Sequence, residues 1–405
     1  MRLFQILHKE PRIKQAAIFD IASGSVGASL VEFDSKNDHP TILWNARSTM
    51  SFQEVPHFKQ LTKSMLSTLL DVVLKLQTEG FQVLAELSRK TVIDDMMFVF
   101  ASPWHTMQTK VVTLEKEKPF SISKSFLDAL VSKEEKQFTD MAAKSIGDST
   151  ETKPRLIEKE IIQIVLNGYI TQNPYNKMVH KAKIDLILSA VPQNVHEKIS
   201  EIATQMLNGE SGVFHSFTLV SFSAVRDIFH NRDDFLFLDI SAEITDVTLV
   251  HNGAILETAS FPQGKHFLVR EIASEFNTIS EEAASLVRAY FSGHIGAEHY
   301  KKITLALTKA AESWVHALDE TLIQLSENVS IPGTVYMTVD DDFSIWFKET
   351  IKKKDFSHLI FSESSFDVIL LDDALLANYV ERGRGVSFID PFLTLEALFF
   401  RKIVF

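Results

Sequence analysis

The sequence predicts a two-lobed α/β protein with a small α+β insertion in the first lobe. Three observations carry this reading. Strand-like and helix-like patterns alternate through most of the 405 residues. They do so in two similar series, each opening with an apolar hairpin. A stretch of different texture, residues 107–190, interrupts the first series.

Length alone argues for about two to three domains. Apolar residues make up 45% and charged residues 23%, the balance of a globular chain and not a disordered one. The 31 Phe, against 6 Tyr and 4 Trp, read as core filling, since a buried Phe needs no hydrogen-bond partner. A net charge of −12 speaks against nucleic-acid binding, whose footprint is basic. The absence of Cys excludes disulfides, thiolate zinc sites and Cys nucleophiles, and fits a reducing cytoplasm. The opening residues Met1–Glu10 lack the apolar length and small-residue site of a signal peptide. No apolar run of about eighteen residues is present to span a bilayer.

In chain order, residues 16–33 read as a hairpin and 40–50 as a third strand, with Ile42, Trp44 and Ala46 alternating. Phe58, Leu61, Met65, Leu69, Val72, Val73 and Leu76 fall at helical spacing over 57–78. Asp94–Ser102 is strand-like. Within the insertion, Thr109–Glu115 reads as a strand, and Ser121 or Ser123 as the cap of a charged helix reaching Lys144. A linker follows, Gly147–Glu151. Leu156–Gln163 reads as a short helix, then Ile164–Thr171 and Lys181–Ser189 as paired strands. Val195–Leu207 returns to helix. Residues 235–261 form the second hairpin set around Asn252-Gly253, a strong turn signal. Helices are expected at 266–276, 280–292, 298–326, 343–351 and 373–381, with strands at 335–338 and 368–371.

Chemistry concentrates at two segments, Ala17–Ala28 and Phe237–Thr248. Each is an apolar strand ending in Asp, then small or hydroxyl residues, then an alternating strand. Asp20 and Asp239 lie 219 positions apart. Small turn side chains let backbone N–H groups approach phosphate oxygens. An Asp at each strand end can hold a hydrated divalent cation from both sides. Taken singly, either Asp is an ordinary strand-end carboxylate; the ordered pair is what suggests a clamp.

This arrangement resembles the actin-like ATPase superfamily of actin, Hsp70 chaperones and sugar kinases, a duplicated ribonuclease H-like fold. Within it the chain is most similar to the FtsA/PilM branch. The insertion stands where that branch carries its extra SHS2-type domain, and Ile164-Val165-Leu166-Asn167-Gly168-Tyr169 resembles a segment of it. Leu238–Val247 resembles the branch's second phosphate motif, and Gly253 with Ser260–Gly264 its downstream strand and glycine turn. The resemblance implies a first lobe from 1–102, 193–232 and 372–405, an insertion at 103–192, and a second lobe at 233–371. It implies ATP and Mg as cofactors, with Asp20 and Asp239 on the metal side through water. Ser23, Gly24 and Ser25 would line the first phosphate turn. Ala242, Glu243, Ile244 and Thr245 would line the second, with Gly264 in the turn beyond. It further implies a cytoplasmic scaffold at the inner membrane, in type IV pilus assembly or cell division. Such a scaffold self-associates into rings or filaments and binds a membrane protein's cytosolic tail.

The chain departs from the pattern at three places. Ala22 and Ser241 stand where a Gly is expected two residues after each Asp. Near the adenosine side, Val339-Asp340-Asp341-Asp342 replaces a strand ending in paired Gly, and three carboxylates repel a polyphosphate. The enzyme reading is therefore at most a weak ATPase. The short span between 292 and Lys301 favours the PilM-like side.

No metal spacing occurs among the 14 His, and no GxSxG elbow is present. Both termini are candidate membrane contacts. Residues 1–14 mix apolar and basic side chains. Phe392–Phe405 as a helix would be apolar nearly all round, with Phe399 and Phe400 offered to lipid and Arg401 and Lys402 to headgroups. The alternative is a final element packed on the first lobe. A small-molecule (sugar) kinase of the same fold is the competing function, needing a carboxylate base and an intact adenosine pocket. A chaperone-type ATPase ranks behind both, since no separate substrate domain follows the second lobe.

Overall fold

Two sheets are built on one plan. The structure, a computed structural model, describes residues 13–87, 93–145, 153–207, 212–327, 329–339, 341–360 and 365–405. Expectations placed on residues 1–12, on the linker 147–151 and on Asp340 lie outside the described residues.

In the first sheet, β1 (Ile13–Ile21), β2 (Ser25–Asp34) and β3 (Thr41–Thr49) form an antiparallel meander. The chain crosses through α1 (Phe58–Lys75), a π-helical turn at Leu76–Gly80 and α2 (Phe81–Glu86) to β4 (Asp95–Phe100), parallel to β1. Next comes a separate four-stranded sheet. Its members are β5 (Thr106–Ser121), then, after α3 (Lys124–Ser145), β6 (Pro154–Leu166), β7 (Tyr169–Ile170) and β8 (Met178–Pro192), in the order β5-β8-β6-β7. The chain returns through α4 (Gln193–Leu207) to β9 (Val213–Ser216), parallel to β4, and on into α5 (Phe217–Ile228).

The second sheet repeats the plan. A meander of β10 (Phe235–Ile240), β11 (Thr245–His251) and β12 (Ala254–Phe261) leads into α6 (Lys265–Phe276), α7 (Ser280–Phe291) and α8 (Ala297–Leu325). Strand β13 (Thr334–Val339) then runs parallel to β10, and after α9 (Asp341–Lys353) β14 (Asp367–Leu370) runs parallel to β13. The last segment, α10 (Asp373–Leu376), β15 (Glu381–Arg382) and α11 (Pro391–Val404), goes back to the first sheet, where β15 pairs with β3.

Burial explains the strand sequences. Strands β1 and β10 are central and covered on both faces, so both read as near-continuous apolar runs. In α1, Leu61, Met65, Leu69, Val72 and Val73 form the buried face. The turn at Asn252 (φ 52°) and Gly253 (φ 71°) places both central residues in the left-handed region, the geometry a two-residue hairpin wants. One apolar core joins the lobes: Ile18 and Val99 share a cluster with Phe217, Phe237, Tyr336 and Phe392.

Two expected helices differ. Leu156–Gln163 lies inside β6. Its pairing with β8 slips at Leu156/Glu158 and again at Ile161/Gln163, and these two bulges put apolar residues at spacings that imitate a helix. The 373–381 helix is one turn, α10, capped by Asp372. It stops because Glu381 N–H donates to Pro40 O, 2.9 Å, drawing the chain onto β3. Strand β9 and helix α5 were not expected from the sequence.

Helix α11 also corrects a reading. Phe399 (8% exposed) and Phe400 (2%) lie in the core, and the Phe400 ring stands 5.6 Å from that of Phe33. Arg401 donates to Asn37 O, at 2.6 Å from Nη2, and Lys402 donates to Ser223 Oγ, 2.8 Å, and pairs with Asp227. The four side chains expected at lipid are committed to the fold, because the helix that looked apolar all round is covered nearly all round. Among the described residues no helix is long and apolar enough to cross a membrane.

Candidate functional site

The equivalent ends of β1 and β10 face each other. Asp20 lies opposite Gly27 in β2 and Val99 in β4, and Asp239 opposite Asp246 in β11 and Thr338 in β13. Both are buried, at 1% and 3% exposure. The two turns beyond them meet directly. Glu243 N–H donates to Ser23 Oγ (3.0 Å), Ser23 Oγ lies 2.9 Å from Ser241 Oγ, and Ser241 Oγ donates to Ile244 O (2.9 Å). Since Ser241 gives its proton to Ile244, Ser23 is the donor to Ser241. A Cβ placed on Gly24 would stand 2.2 Å from the Ala242 Cβ, so Gly is required there by the opposite lobe and not by backbone conformation.

The carboxylate of Asp20 meets a guanidinium. Arg47 Nη2 is 2.7 Å from Asp20 Oδ2. The same side chain donates from Nε (2.6 Å) and Nη2 (3.0 Å) to the two oxygens of Asp390, and from Nη1 to Ser25 Oγ (2.9 Å). Asp390 also caps α11, accepting from Phe392 N and Leu393 N. One helix cap thus fixes one side of the fork, and the bidentate charge-assisted pair fixes the other. Burial opposes the Arg47 charge, but Asp390 and Asp20 outweigh it and raise its pKa.

Other carboxyls crowd the same place. Glu396, on α11, is fully buried; among the described residues no N–H or hydroxyl donates to it, and its carboxyl stands against that of Asp20. Burial first, then the Asp20 charge, push its pKa well above the usual carboxylate range. Burial and then the Asp246 charge do the same to Asp239, whose Oδ1 accepts from Thr338 Oγ1, 2.8 Å. Asp246 is pushed up to about 7 by burial, although Ser102 of the first lobe donates to its Oδ1, 2.9 Å. Burial likewise raises Asp20, against the pull of Arg47.

The second turn is occupied by its own lobe. The amino end of α6, the natural place for an anion, donates instead to protein: Lys265 N to Ser241 O (3.0 Å) and His266 N to Ala242 O (2.8 Å). Gly264 permits this approach, since a Cβ there would be 2.3 Å from Ser241 O. Glu243 accepts from His266 Nδ1 and Arg270 Nη2, each 2.8 Å. Burial works against its charge, but these two partners outweigh burial and hold it below the usual range. Thr245 turns its hydroxyl into the second lobe, donating to Gln263 O.

Between the hairpins a cavity of about 10 Å³ remains, lined by Asp20, Gly24, Arg47, Asp239, Ala242 and others. That is about the space of a single water probe. ATP and Mg do not fit this arrangement: the turns that would hold phosphate touch each other, and Arg47 stands against the carboxylate that would face the metal. The structure brings together Asp20, Ser23, Gly24, Ser25, Asp239, Ala242, Glu243 and Gly264. It turns Thr245 away. Sequence reading missed Arg47, Asp390 and Glu396. Their signals were a lone charge in β3, an Asp before Pro at the start of α11 and a lone carboxylate inside that apolar helix.

The chain superposes on a chain of the PilM–PilN type IV pilus biogenesis complex with a TM-score of 0.57, at 15% identity, over 96% of this chain and 98% of that one. The chain has the actin-like ATPase fold, in its PilM-like form. A protein with actin-like ATPase fold and unknown function from Bacteroides thetaiotaomicron is also similar (TM-score 0.44, 11% identity, 96% of each chain). So is the ethanolamine utilization protein EutJ from Carboxydothermus hydrogenoformans (TM-score 0.42, 12% identity, 97% of this chain and 90% of that one). No family model matches the sequence, and no curated protein is significantly similar to it. In this PilM-like fold the insertion is pinned to the first lobe by Glu158 of β6. Its fully buried carboxylate accepts from Ser189 Oγ, from Ser216 N (2.8 Å) and Oγ (2.6 Å), and from His215 Nδ1 (3.2 Å).

Proposed function

We propose that the chain is an actin-like scaffold at the cytoplasmic face of an inner membrane. In this reading it binds the cytosolic tail of a membrane protein and self-associates, in type IV pilus assembly. One observation carries the reading: a PilM-like fold matched along almost the whole of both chains, insertion included. The seat of that insertion supports it, because the Glu158 bonds to Ser216 and His215 hold insertion and first lobe in one fixed relation for a partner to read. The insertion also reaches the second lobe, where Thr109 Oγ1 donates to Leu256 O (2.8 Å) and Gln163 Nε2 to Asn252 O (3.0 Å). A division role is disfavoured by the second lobe, in which α7 passes to α8 with five residues between them, Ser292 to Gly296. A sugar kinase is disfavoured by the cleft, whose remaining 10 Å³ admits neither nucleotide nor sugar.

The test is co-purification of the full chain with synthetic tails of single-pass inner-membrane proteins encoded beside it. Binding of one tail, lost when Glu158→Ala loosens the insertion, supports the proposal. If none of the tails binds and the chain sediments as a monomer at all concentrations, the scaffold reading fails.

A further inference from the structure

Among the described residues, the carboxyl groups of Asp20, Asp239, Asp246, Asp390 and Glu396 gather in the cleft around the guanidinium of Arg47. Two of the five carboxyls, Asp20 and Asp390, are paired with it directly. Asp20, Arg47 and Asp239 line the same small cavity between the hairpins, so the first lobe's ion pair stands directly against the second lobe's carboxyl. We propose that Arg47 is the resident cation of this cleft: by neutralising Asp20 and Asp390 from within the first lobe it lets the two hairpins close on each other directly. Closure of the lobes then requires neither nucleotide nor divalent metal.

Three independent features agree. The first is steric. The Ser23–Ser241 bond and the Gly24–Ala242 contact put protein where a phosphate would have to pass. The second is the completeness of the guanidinium fork, whose Nε, Nη1 and Nη2 all have oxygen partners within the protein. A mobile side chain waiting for an anion would not be tied to a helix cap. The third lies away from the cleft. Glu54, in the loop after β3, accepts from Ser280 N (3.2 Å) and Oγ (2.9 Å) at the start of α7, and the ring of Phe52 stands 4.4 Å from that of His266. These contacts and Ser102–Asp246 brace the lobes at separate points, and Thr109–Leu256 ties the insertion to the second lobe. The scaffold is thus a fixed body in which the fold's switch has been replaced by an internal ion pair. This goes beyond the tail-binding reading and does not depend on it.

A chain without Cys offers a direct reporter. Ser23→Cys with Ser241→Cys places two thiols where hydroxyls stand 2.9 Å apart, and oxidised glutathione joins them when the lobes are closed. The cross-link is expected at the same rate with and without millimolar ATP and MgCl₂. Adding Arg47→Ala should slow it by about tenfold, and Arg47→Lys should recover most of that loss, since charge is the operative property. A rate that depends on ATP, or an Arg47→Ala variant that cross-links at the original rate, overturns the proposal. If Arg47→Ala does not fold, titration calorimetry on the unmodified chain decides: binding heat from ATP with MgCl₂ overturns the proposal, and its absence supports it. Tail binding is measured separately, so failure of one reading is not failure of the other.

Discussion

Gly24→Ala isolates the contact between the lobes. Gly24 does not use a left-handed backbone, so alanine brings no conformational strain of its own. It brings one methyl, 2.2 Å from the Ala242 Cβ. Ordinary carbon contact is about 3.5–4.0 Å, so the hairpins must part by roughly 1.5 Å or strain by an equivalent amount. Parting stretches the 2.9 Å Ser23–Ser241 bond and the 3.0 Å Glu243–Ser23 bond beyond hydrogen-bonding range. Two buried bonds lost at about 1–2 kcal/mol each predict a loss of about 2–4 kcal/mol. Overpacking without parting leads to a similar figure, about 1–3 kcal/mol. Ala242→Gly removes the opposing methyl and should cost less than about 1 kcal/mol by itself. The double variant should recover most of the stability, with a coupling of about 1–3 kcal/mol. Urea unfolding of the four proteins measures this. A Gly24→Ala chain within about 0.5 kcal/mol of the parent, or strictly additive effects, would refute the closed geometry.

Glu158→Ala removes the acceptor for Ser189, Ser216 and His215 and should destabilise by about 3 kcal/mol or more, with faster proteolysis inside residues 153–192 than elsewhere. Acidification has a milder version of that effect: hydrogen bonds hold Glu158 below its usual range despite burial, so its contribution is present above about 4.5 and is lost as pH falls through the folded value. Asp246 has the opposite sign. Its folded pKa near 7 exceeds the unfolded 3.8, so the folded chain holds the extra proton between these values and stability falls as pH rises through that window; Asp246→Asn should flatten the slope in unfolding curves taken from pH 5 to 8. Phe400→Ala should cost about 3 kcal/mol in urea unfolding, the figure for a core ring and not for a side chain reserved for lipid.

Much of the fold was legible because the two lobes repeat a local pattern. An apolar run ending in Asp, a turn of small residues and an alternating partner strand define each meander, and Asn252-Gly253 marks its turn. Strand β6 was illegible for a local reason. Ile157, Ile161 and Ile164 fall at i, i+4 and i+7, a helical spacing that the strand accommodates through its two bulges, and only the pairing with β8 reveals the strand. Strand β9 is four residues long with half its side chains covered, too short for any period to register. The candidate site was legible at the residues of the hairpins, because turn chemistry is local. Its meaning was not, because it depends on distances between segments. Ser23 looks like a phosphate-turn residue and Ser241 like a departure from the pattern, and only their 2.9 Å separation shows that they bind each other.

Glu396 shows how far such a reading can go. In Pro391–Val404 it is the one carboxylate in an apolar helix whose only other charges, Arg401 and Lys402, lie in the last turn. A buried carboxyl needs a partner or a proton. Had the helix touched lipid, that group would have been an unexplained cost in its apolar face; packed on β1, it is an acid beside Asp20. The residue therefore argued from the sequence for a protein-facing helix, and against the membrane reading that the flanking phenylalanines suggested. What the sequence could not supply was the cation. Any of 41 Lys and Arg residues could have served, and the choice of Arg47 follows from β3 lying beside β2, which puts its side chain within reach of Asp20 and the cap of α11 together.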